Sequence, residues 1–201
     1  DKVAPPPIVV LAFNRPQYLG SVLRSLARQT VDVSKRPVFL FQDGAVTAYS
    51  KIRYARDEDI AASIAVFESH FPDGEVIASS NNIGVAENFS RAERHVFETY
   101  RYECAYFFED DLILSKHYIE TMDNIWRQVR TIDEIAYFSA YGDHLTRESP
   151  SSYALGAQVK TLQHHWAFGL KRSHWLEMQP LIRPYLDLIT GKDYRSRDWY
   201  S

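Results

Sequence analysis

The chain of 201 residues holds one cysteine, Cys104, so no intrachain disulfide can form and nothing in it calls for an oxidising compartment. No apolar run approaches the length of a membrane span, and no signal peptide is visible. Neither charge sign is in real excess. The 23 basic and 26 acidic residues give a net charge of −3, which supplies no electrostatic reason to expect nucleic acid as a partner. Glycine-rich phosphate loops are missing too: there is no Walker-type motif, and no G-x-G-x-x-G follows the first apolar run. This argues against P-loop enzymes and classical dinucleotide enzymes. Internal repeats and low-complexity segments are absent as well. What remains is 45% hydrophobic and 14% aromatic, enough for a core, at a length that fits one domain or one and a half.

Through the first 140 residues, expected strands alternate with expected helices. Residues 8–13 form a continuous apolar run, as for a strand buried on both faces. It stops at Asn14, Arg15 and Pro16. Leu19, Val22, Leu23 and Leu26 then fall at i, i+3, i+4 and i+7, one stripe of a helix with Pro16 in its first turn. Residues 38–41 read as the second strand, ending at Gln42, Asp43 and Gly44. Ile60, Ile64, Phe67 and Phe71 mark a second helix, behind Asp57, Glu58 and Asp59 at its positive end. Residues 76–78 make a short third strand, followed by a turn at residues 81–84. Val85, Phe89, Ala92, Val96 and Tyr100 mark a third helix. Residues 104–108 are a buried strand that ends in three acids, Ile119, Met122, Trp126 and Val129 share a helix face, and residues 135–141 read as a further strand. This order predicts an α/β fold with a mainly parallel sheet and helices on both faces. Beyond residue 142 the pattern loosens into loop, with a strand or turn near residues 163–170, a short helix capped by Ser173 and reaching Leu181, and a charged, aromatic end.

Ligands of such sheets bind at the carboxyl ends of the strands. Those ends carry Asn14 and Arg15, Asp43, Asn81 and Asn82, and Glu109, Asp110 and Asp111. Three adjacent carboxylates repel one another, and a hard divalent cation such as Mg²⁺ or Mn²⁺ would relieve that cost; the plainer alternative is a solvated acidic turn capping the next helix. In an extended segment Glu109 and Asp111 would face one side and Asp110 the other. Asp43 either accepts from a nucleobase N–H or simply makes a turn with Gly44. Asn88 and Arg91 either share a face aimed at the site or belong to an ordinary polar helix face. The sequon at Asn88 would set a glycan inside such a site, which favours a cytoplasmic protein. His164 and His165 point to opposite faces of a strand and cannot easily share one ion; one of them either joins the acids as a third ligand or, the plainer reading, each is structural or faces solvent. Trp166 and Trp199 are suited to stacking on sugar rings, whereas Trp175 sits in an expected helix and reads as core.

These residues, in this order, resemble the GT-A-fold glycosyltransferases, and in particular the N-acetylglucosaminyltransferase I family, whose acidic motif is also Glu-Asp-Asp. The bacterial polysaccharide glycosyltransferases fit as well. The resemblance rests on residues 8–16, 41–44, 81–84 and 108–111, and on the order of residues 169–180 and 197–199. It implies a Rossmann-like nucleotide-sugar-binding fold and a Mn²⁺ or Mg²⁺ cofactor. Arg15 and Asp43 would contact uracil, Glu109 and Asp110 the nucleotide-sugar, Asp111 the metal, and Asp198 would be the catalytic base. The sequence departs from that family in Asn88, which stands where the family has histidine, and in lacking disulfides.

The expected activity is metal-dependent transfer of a sugar, GlcNAc among the candidates, from a UDP-sugar to a hydroxyl of a glycan or polysaccharide, with inversion. A non-catalytic nucleotide-sugar-binding module and a nucleotidyltransferase stand as alternatives. Among the later acids Asp143, Glu148, Glu177, Asp187, Asp193 and Asp198, Asp198 is favoured as base because Arg197 would keep it ionised and Trp199 would wall the sugar; Asp193 is the reserve. The expected layout is one domain over residues 1–201, part of a longer protein: a linker at 1–7, a nucleotide-sugar-binding core at 8–141 and an acceptor-side segment at 142–201. The expected location is cytoplasmic, with membrane association only through other parts of the longer protein.

Overall fold

A computed structural model describes residues 4–141 and 165–192. Six strands form one sheet in the order β3-β2-β1-β4-β6-β5. β1 (Ile8–Ala12) is flanked in parallel by β2 (Val38–Gln42) and β4 (Cys104–Glu109), and β3 (Glu75–Ala78) extends the parallel block beyond β2. Each residue of β1 and β2 is buried, which is why both read as unbroken apolar runs.

The side-chain alternation of the strands sorts the core into two layers. Ile8, Val10, Leu40, Tyr106 and Phe108 point to one face, where they meet α1 (Pro16–Ala27), α2 (Asp57–His70) and α4 (Tyr118–Val129). Val9, Leu11, Phe39, Phe41 and Phe107 point to the other, against α3 (Val85–Arg94) and α5 (Arg172–Ile189). Helices therefore cover both faces, as expected. The stripe Leu19, Val22, Leu23 and Leu26 is fully buried, and removing such side chains from water stabilises by about 1.5–3 kcal/mol each. At the amino ends of the strands, Arg36 forms a two-pronged bond to Asp123 at 2.9 and 2.7 Å, and the Tyr106 hydroxyl donates to the same carboxylate at 2.9 Å. Cys104 lies buried in β4, and burial pushes its thiol up, as for an inert structural cysteine.

Several expectations change. The third helix does not carry one stripe through Tyr100: α3 passes into a π turn at His95–Thr99, where the Tyr100 N–H bonds to the His95 carbonyl at 3.1 Å. That wider turn breaks the 3.6-residue period, so Val96 and Phe97 are both buried while Tyr100 is exposed. Val85, at the other end of the stripe, is exposed as well. β5 shrinks to Tyr137–Ser139 and does not adjoin β4; β6 (Phe168–Lys171) inserts between them, antiparallel to both. The short helix expected after Ser173 is α5, which runs to Ile189 although Pro180 and Pro184 each remove a backbone donor. Pro6 and Pro7, placed in the linker from sequence, are buried, and the Pro7 carbonyl accepts the Tyr106 N–H at 3.0 Å, so they continue β1.

Where α5 meets α3, the buried Trp175 donates its indole N–H to Glu93 at 3.3 Å. Burial pushes the Glu93 carboxyl up to about 7 from an ordinary 4.5, against the pull of the indole bond. A raised acid binds its proton more tightly in the folded state. Its contribution to stability is therefore complete below the unfolded value and is lost as pH rises through about 7. Melting temperature should fall between about pH 5 and pH 8, and Glu93→Gln, which keeps an acceptor for the indole, should flatten that slope. Identical slopes for the two proteins would show that Glu93 does not titrate in this window.

Candidate active site

The carboxyl ends of β1, β2, β3 and β4 open on one side of the sheet, and a cavity of about 410 Å³ lies there. Leu11, Ala12 and Phe13, at the end of β1, form its apolar floor. Arg15, Glu109 and Asp110 line the β4 side, and Asp43, Tyr54 and Asn82 the β2 side. Gly84, Val85 and Asn88 add the amino end of α3, which faces the cavity with its positive dipole end. Gly84 has φ 81, a left-handed conformation that suits glycine at this entry to the helix.

At the β4 side the strand stops at Glu109, and Asp110 and Asp111 form a turn. The expected alternation therefore breaks off, and both aspartates reach the same partner. Arg15 donates through Nη2 to Asp110 Oδ1 and through Nε to Oδ2 at 3.4 Å, and its Nη1 lies 3.1 Å from Asp111 Oδ2. The Asp110 bond is the largest of the effects that raise Arg15 above its usual range, so the guanidinium stays charged. Half-buried Glu109 is pushed up by burial first, then by the charges of Asp111 and Asp110, with Arg15 opposing. Three carboxylates against one guanidinium leave two formal negative charges.

That donor set is hard and anionic and suits Mg²⁺ or Mn²⁺. Such an ion is commonly held by one or two carboxylates with the remaining positions taken by substrate phosphates and water. Among the described residues no three His, Cys, Asp or Glu side chains converge into a ready cage. Asp111, exposed at the mouth, fits the role of single carboxylate ligand.

At the β2 side the Asp43 carboxylate is saturated. Oδ1 accepts the N–H groups of Gly44 at 2.8 Å and Ile83 at 2.9 Å; Oδ2 accepts Gly84 N–H at 3.0 Å and the Asn82 amide at 3.1 Å. Burial pushes the carboxyl up and these backbone bonds pull it back. Asp43 is thus both a turn residue and a brace that fixes the loop before α3. Gly44 leaves no room for a side chain, since a Cβ there would stand 2.4 Å from the Asn81 carbonyl carbon. Beneath the cavity, Asn88 donates to the Phe41 carbonyl at 3.0 Å and accepts Arg91 at 2.7 Å, and Arg91 also reaches the carbonyls of Gln42 and Ile77. Asn88 and Arg91 therefore share a face directed at the sheet edge, with only Asn88 in the cavity wall.

Of the residues singled out from sequence, Arg15, Asp43, Asn88, Glu109 and Asp110 line one cavity, with Asp111 ion-paired to Arg15 at its edge. Asn14 is half-buried between β1 and α1 and lies outside the lining. Trp166 is also outside it, exposed at the same end of the sheet, with its ring edge-on to Tyr141 at 5.5 Å. His165 stacks on Tyr137 at 5.6 Å rather than joining the acids. Trp175 is core, as read. Asp198, Asp193, Asp143, Glu148, His164 and Trp199 lie outside the described residues. Tyr54 lines the cavity without having been singled out, because the irregular stretch around it carries no period.

The fold is of the GT-A type: a mainly parallel α/β sheet with its cavity where β1 and β4 diverge into loops. No family model matches the chain, and no curated protein matches it. Among solved structures it is similar to the mannosyltransferase PcManGT from Pyrobaculum calidifontis, in complex with GDP-Man and Mn²⁺, at 16% identity and TM-score 0.56, over 90% of this chain and 49% of that one. It is more loosely similar to S. aureus TarS, at 15% identity and TM-score 0.47, over 62% of this chain and 20% of that one. The galactosyltransferase LgtC, in complex with donor and acceptor sugar analogs, gives 11% identity and TM-score 0.44, over 94% and 66%. The chain spans about a fifth of TarS and about half of the mannosyltransferase. At these identities the likeness establishes the fold, and the mannosyltransferase carries it.

Asp43→Asn would turn an amide N–H toward donors that now meet carboxylate oxygens. We expect a loss of about 2–3 kcal/mol in urea unfolding, from buried N–H groups left unpaired. A change below about 0.5 kcal/mol would mean that the brace is dispensable.

Proposed function

We propose that the chain is a metal-dependent glycosyltransferase domain that takes a sugar from a UDP-sugar and passes it to a hydroxyl of a glycan or polysaccharide, with inversion. The observation that carries this is one cavity with an apolar floor, a braced loop at its β2 side and an under-neutralised acid cluster at its β4 side. A base and ribose fit the first part, and a cation-bound diphosphate the second. That the mannosyltransferase of the same fold was solved with GDP-Man and Mn²⁺ supports a nucleotide-sugar and a divalent ion here.

In this reading the loop braced by Asp43 meets the uracil side of the donor. Arg15, paired with the acids and so not at the uracil side, lies with Glu109 and Asp110 at the ribose and sugar, and Asp111 meets the ion. Mn²⁺ or Mg²⁺, when bound, would neutralise the diphosphate and ease its departure. Asp198 takes the proton from the acceptor hydroxyl as that oxygen attacks the anomeric carbon, with Asp193 as reserve. Trp166, exposed at the same end of the sheet, is the residue proposed to stack on a sugar. We assign the protein to the cytoplasm: Asn88 of its sequon is buried and hydrogen-bonded, so a glycan there is incompatible with the fold. Among the described residues no helix is long and apolar enough to cross a membrane.

Calorimetric titration should show UDP binding that weakens about tenfold or more when Mn²⁺ is removed by EDTA, and Asp111→Ala should abolish that dependence. Equal affinity with and without metal would overturn the metal assignment. Incubation with UDP-sugars, GDP-sugars and nucleoside triphosphates separates the activities, since transfer or hydrolysis releases nucleoside diphosphate and a nucleotidyltransferase releases pyrophosphate. Asp198→Asn should lower turnover by about 10² while leaving UDP-sugar affinity nearly intact; full activity would remove Asp198 from the mechanism.

A further inference from the structure

We propose that Tyr54 determines which nucleobase the cavity accepts, its hydroxyl donating a hydrogen bond to the 4-carbonyl oxygen of uracil. The inference rests on the donor reading above and extends it to a residue that neither the motifs nor the fold likeness assigns.

After β2 the chain makes a small hairpin. Val46 and Arg53 form an antiparallel bridge, Thr47 N–H bonds to the Ile52 carbonyl at 3.0 Å, and Tyr54 N–H bonds to the Ala45 carbonyl at 2.8 Å. The hairpin is latched to the loop before α3 by a bridge from Thr47 to Asn82 and by Asn82 N–H on the Val46 carbonyl at 2.8 Å. The Tyr54 backbone is therefore held in place, and its side chain lines the cavity. Its hydroxyl oxygen is buried and has no hydrogen-bond partner. A phenol O–H withdrawn from water without a partner is costly, and a folded protein seldom leaves one so.

The neighbouring polar groups are already committed. All four acceptor positions of Asp43 are filled by Gly44, Ile83, Gly84 and Asn82. The Asn82 amide nitrogen is shared between Asp43 and the Gly44 carbonyl, and that of Asn88 is held by the Phe41 carbonyl. Among the described residues that line the cavity, Tyr54 is thus the one whose buried polar atom has no partner at all. β4, which carries the acids, lies beyond β1, two strand spacings or roughly 10 Å from β2, about the span of a nucleoside. With the diphosphate at the acids, the ring lies over the Leu11–Phe13 floor and its edge distal to ribose faces Tyr54. In uracil that edge carries the 4-oxygen, an acceptor.

The test is calorimetric titration in saturating Mn²⁺ of the wild-type chain and Tyr54→Phe, a change that removes only the hydroxyl. The probes are UDP, GDP and the UDP analogue whose ring lacks the 4-oxygen. Wild type should bind UDP about tenfold more tightly than the analogue, Tyr54→Phe should bind both equally at the weaker level, and the unliganded Phe variant should melt no lower than wild type, since it loses a hydroxyl that has no partner. Equal UDP affinity in wild type and Tyr54→Phe overturns the Tyr54 assignment and leaves the donor reading standing. A lower melting point for the unliganded Phe variant also overturns it, by making the hydroxyl structural, and tighter binding of GDP than UDP overturns the uracil assignment. Failure of the wild type to bind any nucleoside diphosphate overturns the donor reading itself.

Discussion

The site depends on one carboxylate. Asp43 gathers four N–H groups from the end of β2 and the loop before α3, two stretches about 40 residues apart in the chain. Together with the Asn82 N–H on the Val46 carbonyl, that brace sets the distance of the loop carrying Asn82 and Gly84 from the sheet and the entry of α3. Gly44 allows the two backbones to approach closely enough for the bonds to form. Asn88, one turn into α3, then finds the Phe41 carbonyl, and Arg91 finds the strand ends. A cavity wall is thereby built from the backbone outward, with few flexible side chains.

The opposite wall is set by charge rather than by geometry. Arg15 enters from the β1–α1 turn and gathers Asp110 and Asp111, which keeps the acids ordered though it does not neutralise them. Glu109 resists ionisation first because it is half-buried and then because the charges of Asp111 and Asp110 bear on it. An apolar floor between a rigid wall and an under-compensated one suits a ligand with a flat ring at one end and a cation-bridged anion at the other.

Much of this was legible in the sequence, for identifiable reasons. The five-residue runs of β1 and β2 and the stripe Leu19, Val22, Leu23, Leu26 are governed by local periodicity. The placement of polar residues at strand ends follows from the parallel topology. What escaped was set by contacts distant in sequence or by backbone without a period. Arg15 and Asp110 pair across 95 residues. The π turn at His95–Thr99 has no composition signal. The hairpin that presents Tyr54 is made by isolated bridges rather than by alternating residues. Asp43 was read as either a turn or a ligand contact, and its four bonds show a third role that only the folded loop reveals.

The insertion of β6 between β4 and β5 has a consequence for biosynthesis. β4 is the most aromatic strand of the sheet, and its outer edge is completed by residues that arrive late: Phe107 pairs with Phe168, 61 residues further along. At about 5–20 residues per second of synthesis, that edge stays without its partner for several seconds after β1 has paired its inner side. An apolar edge with unpaired N–H and C=O groups is a template for intermolecular pairing. The nascent chain is therefore most prone to aggregate in the interval between the acid cluster and β6, and low temperature or a holding chaperone during expression acts on that interval.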